Sequence, residues 1–597
     1  MFLRGTNRRK GGKDHRYFSV VENRRLSSGK TAQRTVVYLG EINDTQEASW
    51  RKTLDVFDED AQRHRTLNLF PEDREIPVDA LDSLQVKLSG LALRRPRAFG
   101  NCWLACQVWR ELGLEQFWRE RLPDGREAVS WEKVLRLLVV HQWIAPGSEW
   151  HVHRRWFLDS AMDELLGVDF AVAEKDRLYR CLDRLVAHKQ ALFVWLKQQW
   201  ADLFHADFDV LLYDLTSTYF EGEMDENPKA KRGYSRDGRP ACLQLVIALV
   251  ITTDGFPLAY EVLAGNTSDR STLRGFLDNI ETTYGKAQRL WVMDRGIPTE
   301  AILAEMRDPA RQVSYLVGTP KSKITQYEAR WLDLPWQQVR ESVDVKLFED
   351  DGELYVLAKS AGRQAKETAM RRKRLVRLLR KLRAMRHSLP ARDQLLMRIG
   401  AAKTEAGRAF GFVHIDLPGP AQPVTRASFQ FRVDTAKLTA AQLRDGHYLL
   451  RSNLTAEDPA VLWTRYVQLT HIEAAFRSLK SELRIRPIFH QLEHRADAHI
   501  LIAFLAYCLQ ITLKHRLRAH APGWTPASVM DQLATIQLID VCIPTVDDRW
   551  LILPRYTQPD TDTKMLLHQL HLELPVQPPP RITADPSNAA SVRATAR

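Results

Sequence analysis

The chain has 597 residues, a net charge of +12 and a pI near 9.3, which gives length for about three to five domains and favours a polyanionic partner. Its six cysteines show no paired spacing, which argues against a disulfide scaffold and points to a reducing compartment. The start, MFLRGTNRRKGGKDHR, lacks the apolar stretch of a signal peptide, and the longest apolar run, Ile500 to Leu513, is short for a bilayer span, so a soluble cytoplasmic protein is expected.

Residues 1–60 alternate apolar and polar positions in RYFSVVEN and TVVYLGEI and predict a small β unit. Residues 61–98 are charged and irregular and read as a linker. From 99 to 204 the pattern is helical, with Ser130 and Ser148 as N-caps and Trp143, Trp150, Trp156 and Trp195 as core.

Residues 205–320 begin with FDVLLYDLTSTYF, a buried central strand that carries Asp214 among Val210, Leu211, Leu212 and Leu215. A carboxylate there is costly unless its charge is compensated. The loop KAKRGYSRDGRP follows, with Lys231, Arg232, Arg236 and Tyr234. Two β-rich runs then flank a hairpin turn at Asp254-Gly255, and Asp269 or Ser271 is placed to cap a helix. RLWVMDRGIP ends a short strand at Asp294, next to Arg295 and ahead of Gly296 and Pro298. The strand SYLVG comes next. Three antiparallel strands followed by alternating helices and strands is the ribonuclease H-like order, so the predicted class is α/β. In that fold the first and fourth strands are neighbours, and Asp214 should face Asp294.

Asp294 and Glu473 are 179 residues apart, far more than a strand and a helix need, so 321–453 is predicted to be an inserted domain. It alternates strand-like runs with one basic helix, Met370 to Arg386. There Leu375, Leu378, Leu379, Leu382 and Met385 form an apolar stripe, and Arg371, Arg374 and Arg377 lie among the cations on the other faces. Residues 454–530 return to the core. In RYVQLTHIEAAFRSLKSEL, a straight helix puts Tyr466, Glu473, Arg477 and Lys480 within roughly 60° of one another, beside the apolar sector of Leu469, Ile472, Phe476, Leu479 and Leu483. His490, His494 and His499 follow, and without cysteine partners packing or phosphate contact is favoured over zinc. Residues 531–597 form a C-terminal segment whose tail from Pro575 is predicted to be disordered.

Two strand aspartates and a helix glutamate repel one another and must share cations, two Mg²⁺ or Mn²⁺ ions being the best fit to oxygen ligands. Such a pair supports phosphodiester exchange. The residues resemble a bacterial insertion-sequence DDE transposase of the group marked by Tyr-x2-Arg-x3-Glu-x6-Lys. Tyr466, Glu473 and Lys480 match that spacing, while Leu469 stands at the arginine position, where Arg465 or Arg477 could substitute. Asp214 with Thr216, and Asp294 with Gly296, match the two aspartate motifs.

The resemblance implies Asp214, Asp294 and Glu473 as catalytic metal ligands, and strand cleavage and transfer at the element's terminal inverted repeats. It also implies that the 321–453 insertion is β-rich, and coupled transfer calls for a homodimer that holds two DNA ends. Tyr466, Arg477, Lys480, Arg295, Lys231, Arg232, Arg236, Arg371, Arg374 and Arg377 are the expected DNA contacts. The 99–204 unit is expected to read end sequences through a helix from Arg177 to Trp195, with Arg177, Arg180 and Arg184 along one side. A structure-specific nuclease of the same fold is the alternative, using the same carboxylates but needing neither the insertion nor the helical unit. An inactive DNA-binding relative would have lost an acid, and all three are present.

Overall fold

The computed structural model describes residues 84–583 except 124–128, 269–271, 295, 310, 312, 320–333, 341–342, 421 and 547, together with the backbone of five strands between residues 2 and 67. Strands Phe2–Lys10, Lys13–Arg25 and Thr31–Glu41 form a three-stranded antiparallel sheet that contains both alternating motifs.

The helical region comprises α1 (Gly100–Glu111), α2 (Trp131–Ile144), α3 (Lys175–Leu185) and α4 (Lys189–Phe204), with shorter helices and turns between them. It does not stand apart as a separate domain. Its apolar side chains belong to one continuous core with the main sheet. On α4, Phe193 packs against Tyr260 and Phe504, and the Trp200 Nε1–H donates to Thr512 Oγ1 at 3.0 Å. Trp143 and Trp156 are buried as expected, but Trp150 is exposed, with Arg154 and Lys175 over its ring. Ser148 caps its helix by accepting from the His151 N–H, whereas Ser130 stands at an N-cap without a side-chain bond.

The expected helix from Arg177 to Trp195 is broken by a 3₁₀ turn at Val186–His188. Arg177 folds inward over Trp131 and toward the Val129 carbonyl, so it shares no outer face with Arg180. Local apolar periodicity runs through both pieces, so the sequence pattern carries no mark of the break.

The main sheet has nine strands. They are β1 (Val210–Tyr219), β2 (Gln244–Thr252), β3 (Pro257–Ala264), β4 (Arg289–Met293), β5 (Val313–Thr319), β6 (Gln337–Arg340), β7 (Val343–Asp350), β8 (Glu353–Ser360) and β9 (His447–Ser452), in the order 3-2-1-4-5-9-8-7-6. The first five reproduce the predicted ribonuclease H-like order, with β1 and β4 parallel neighbours. Helices α5 (Leu273–Tyr284) and α6 (Glu300–Met306) connect β3 to β4 and β4 to β5. Thr272 stands at the N-cap of α5; Asp269 and Ser271 lie outside the described residues.

The insertion departs from the expectation of a separate β-rich domain. Four of its strands continue the main sheet, because β5 would otherwise end it with an unpaired edge, and β9 pairs with that edge. The join is polar and closed. Ser452 Oγ donates to the Tyr315 carbonyl at 2.7 Å, and buried Glu353 binds Arg451 at 2.5 Å and Arg307 at 3.0 Å. The rest of the insertion is mostly helical: α7 (Ala361–Ser388) packs on α8 (Arg392–Ala406), with the hairpin Val413–Asp416/Gln430–Val433. The predicted stripe is its core, with Leu375, Leu378, Leu382 and Met385 buried and Leu379 packed against them.

After β9 come α9 (Pro459–Val467), α10 (Leu469–Arg477) and α11 (Glu493–His520). The most apolar window of α11 is long enough to cross a membrane by composition, yet 83% of it is buried inside the protein, which makes it a core helix. The chain ends differ from expectation as well. Ala92–Ala98, within the predicted linker, is a strand paired with Gln537–Pro544. Its charges read as solvated, but Arg97 is buried between Asp163 (2.8 Å) and Asp540 (2.9 Å), partners far away in sequence. Within the tail from Pro575, Arg581–Thr583 joins the same sheet by pairing with Trp550–Ile552, and residues 584–597 lie outside the described residues.

Candidate active site

Asp214, Asp294 and Glu473 line one cleft of about 510 Å³. Backbone register accounts for two of them. β1 and β4 run parallel with Met293 opposite Tyr213, so the next residues, Asp294 and Asp214, emerge side by side where β4 ends. The Asp214 Oδ1 accepts the Leu215 N–H at 2.8 Å. Glu473 arrives from α10, which lays Ile472, Ala475 and Phe476 on the core and leaves Glu473 exposed to the cleft. The donor set is all oxygen and open to solvent, which suits hard divalent cations.

Tyr466 lines the same cleft, and its hydroxyl donates to Asp294 Oδ1 at a long 3.4 Å. Burial, with the Asp294 charge adding to it, pushes the phenol well above its usual range, so it stays a proton donor. Arg363 and Lys366 of α7 also reach the cleft, beside Tyr448 and Trp463. Arg363 stacks 4.1 Å over the Tyr448 ring and donates to its hydroxyl at 2.5 Å.

A family model described as the transposase DDE domain matches residues 206–509, just over half of the chain and all three acids. The chain belongs to the DDE transposase family. A model of the IS1634 family transposase N-terminal domain matches residues 3–65. Among solved structures the chain is similar to a piggyBac transposase synaptic complex with hairpin DNA, determined by cryo-EM, at 9% identity over 74% of this chain and 82% of that one, with a TM-score of 0.34. No curated protein matches the chain. Transposases of this family act on DNA, and their DDE domains generally use divalent metal ions.

The other expected DNA contacts of this transposase divide. The predicted single helix over 465–483 turns at Gln468, between α9 and α10, and continues as a π-helical turn at Ser478–Glu482. Tyr466 still meets Glu473 in the cleft, but the 100° periodicity fails beyond Arg477, and Lys480 is turned away from it. Its ammonium lies 2.8 Å from Asp237, which also binds Arg486, and burial lowers its pKa. Arg477 is exposed outside the cleft, and Arg465 pairs with Glu457 at 2.9 Å, so neither replaces the arginine missing at Leu469. Leu469 itself lines the cleft.

Docking Asp237 onto Lys480 and Arg486 fixes the basic loop, and Lys231, Arg232, Arg236 and Tyr234 are exposed on it. On α7, Arg374 and Arg377 line a groove of about 1460 Å³ beside α8, whereas Arg371 is buried against Asp445. Arg295 lies outside the described residues. Sequence reasoning missed Arg363 and Lys366 because α7 begins nine residues before Met370, where the basic helix was taken to start. Their i, i+3 spacing in AGRQAKETAM was the available signal.

Proposed function

We propose that this transposase binds the terminal inverted repeats of its own insertion sequence, cleaves DNA at them and transfers the ends to target DNA, with Asp214, Asp294 and Glu473 holding two Mg²⁺ or Mn²⁺ ions. The convergence of these acids, from three distant parts of the chain, in one open cleft carries the reading. When bound, such a pair of ions activates a water or a 3′-hydroxyl and stabilises the leaving oxygen in phosphodiester exchange. Asp214 and Asp294 offer ligands fixed by the β1–β4 ladder, and Glu473 completes the set from α10. Tyr466 orients the Asp294 carboxylate through its hydroxyl.

Arg363 and Lys366 take the phosphate contact that the signature arginine would make at Leu469, because both reach the cleft that Leu469 lines. Lys231, Arg232, Arg236, Arg374 and Arg377 grip the duplex backbone without reading bases. Coupled transfer requires two ends held together, so the active complex is a homodimer, working on DNA in the bacterial cytoplasm.

The direct test incubates the purified protein with labelled element ends and Mg²⁺ and maps the nicks and joined products. Cuts at the element tips followed by strand joining support the proposal. Nicking that ignores the ends, with no joined product, favours a nuclease instead.

A further inference from the structure

A second cluster of metal-competent side chains lies outside the cleft, where Glu149, His490 and His499 converge from three places in the chain. Glu149 opens the short helix that Ser148 caps in the helical region. His490 belongs to the segment between the π turn and α11, and His499 lies in the second turn of α11. One ligand atom from each residue lies within 4.8 Å of the other two. The side chains of Glu149 and His490 are each only 9% exposed. His494, which sequence groups with these histidines, instead faces Asp183 at 2.9 Å.

Three features distinguish this cluster from a simple ion pair. The Glu149 Oε1 to His490 Nε2 separation is 3.3 Å, longer than the roughly 2.7–2.9 Å of a charged N–H···O bond. It matches the edge, about 3.4 Å, of a tetrahedron of donors placed some 2.0–2.1 Å from zinc. His499 Nε2 sits 3.2 Å from the Ile485 carbonyl and donates to it, which leaves the lone pair on Nδ1. Metal-bound histidines commonly have their other ring nitrogen held in this way. Finally, one protonated imidazole would already satisfy Glu149, and a second adds nothing to an ion pair but gives a cation its third donor. A cavity of about 760 Å³ opens on the cluster, with room for water as the fourth ligand.

We infer that Glu149, His490 and His499 bind one borderline divalent transition ion, Zn²⁺ by preference, which ties the helical region to the segment that follows the catalytic glutamate. Two imidazoles and a carboxylate select such an ion over Mg²⁺. The segment it fixes carries Arg486, which with Lys480 holds Asp237 and so the basic loop.

The test uses tag-free full-length protein carrying D214N and E473Q, so that the cleft cannot account for bound metal. After dialysis against a chelator, the protein is reloaded with ZnCl₂ or CoCl₂ in excess Mg²⁺. About one equivalent of zinc per chain should be retained. Cobalt should give the strong visible absorption of a four-coordinate site with nitrogen ligands, and zinc should raise Tm. H490A and H499A should each abolish all three signals, and E149Q should weaken zinc binding by about tenfold or more. Circular dichroism checks that each variant folds, and the parent protein tests the inference even if one does not. Zinc content near zero in the parent overturns the inference, as does retention unchanged in folded H490A and H499A.

Discussion

The two cation-competent clusters differ in donor chemistry and in access. Asp214, Asp294 and Glu473 offer only oxygen and open onto a cleft that also holds Arg363, Lys366 and Tyr466. Glu149, His490 and His499 offer nitrogen as well, and two of their side chains are almost wholly enclosed. An open, hard site can exchange ligands and admit a phosphodiester; an enclosed, softer one holds its ion as part of the fold. Perturbing the first should therefore cost chemistry, and perturbing the second should cost architecture.

The largest effect should come from the acids. D214N, D294N and E473Q should each lower strand cleavage by about 10³-fold or more, equivalent to ~4 kcal/mol of barrier, in a gel assay with labelled ends. End binding should stay near that of the parent, and Tm in metal-free buffer should hold or rise as carboxylate repulsion is relieved. A variant that still cuts at near parental rate removes its residue from the metal set. Next is R363A/K366A, expected to slow cleavage by roughly 10- to 100-fold while changing end affinity much less. Because Arg363 also stacks on Tyr448, a loss of Tm matching the loss of rate would make it a packing residue.

The acids were readable from the sequence, whereas Arg363 and Lys366 emerged only with the fold. Asp214 and Asp294 were legible because each interrupts or ends an apolar strand, a local anomaly that demands a reason. The strand order was legible because turn residues separate the runs. Lys480 was misplaced because a π turn leaves no mark on apolar spacing. The buried charge of Arg97 looked like part of a linker because its partners, Asp163 and Asp540, lie far along the chain. Glu149 was hidden because an acid in the first turn after a capping serine is what any helix start prefers. Local signals singled out the acids that share the cleft, while pairings that form only in three dimensions were invisible.

The enclosed side of the comparison has a pH signature in His141, near Glu149. Burial, reinforced by His151 at 3.1 Å, lowers the His141 pKa to about 3. The folded protein keeps this imidazole neutral, while the unfolded chain takes up a proton near pH 6.5. Stability is unaffected by this group above pH 6.5 and falls as pH drops toward 3, the loss reaching about 2 kcal/mol by pH 5. Denaturant unfolding of H141Q should show a shallower fall in stability between pH 6.5 and 4. An unchanged slope would mean that His141 does not set the acid limit.

The smallest effects should recur within one helix, where the same contrast between open and enclosed holds on α7. Arg374 and Arg377 are exposed in the groove beside α8, and Arg377 has only a distant partner in Glu405 at 3.9 Å. Arg371, one turn earlier, is buried against Asp445, which also accepts from Thr368 at 2.9 Å. R374A/R377A should weaken binding to element ends and random DNA alike. It should also flatten the salt dependence of log K by about 0.9 per lost phosphate contact. Tm should barely move, since exposed charges contribute little to stability. R371A should do the reverse: removing one partner of a buried pair should cost roughly 3 kcal/mol in unfolding while leaving the salt slope unchanged. Fluorescence anisotropy across a salt series, paired with urea unfolding, separates the two. Equal salt slopes in both variants would show that position on the helix, rather than burial, decides which cations meet DNA.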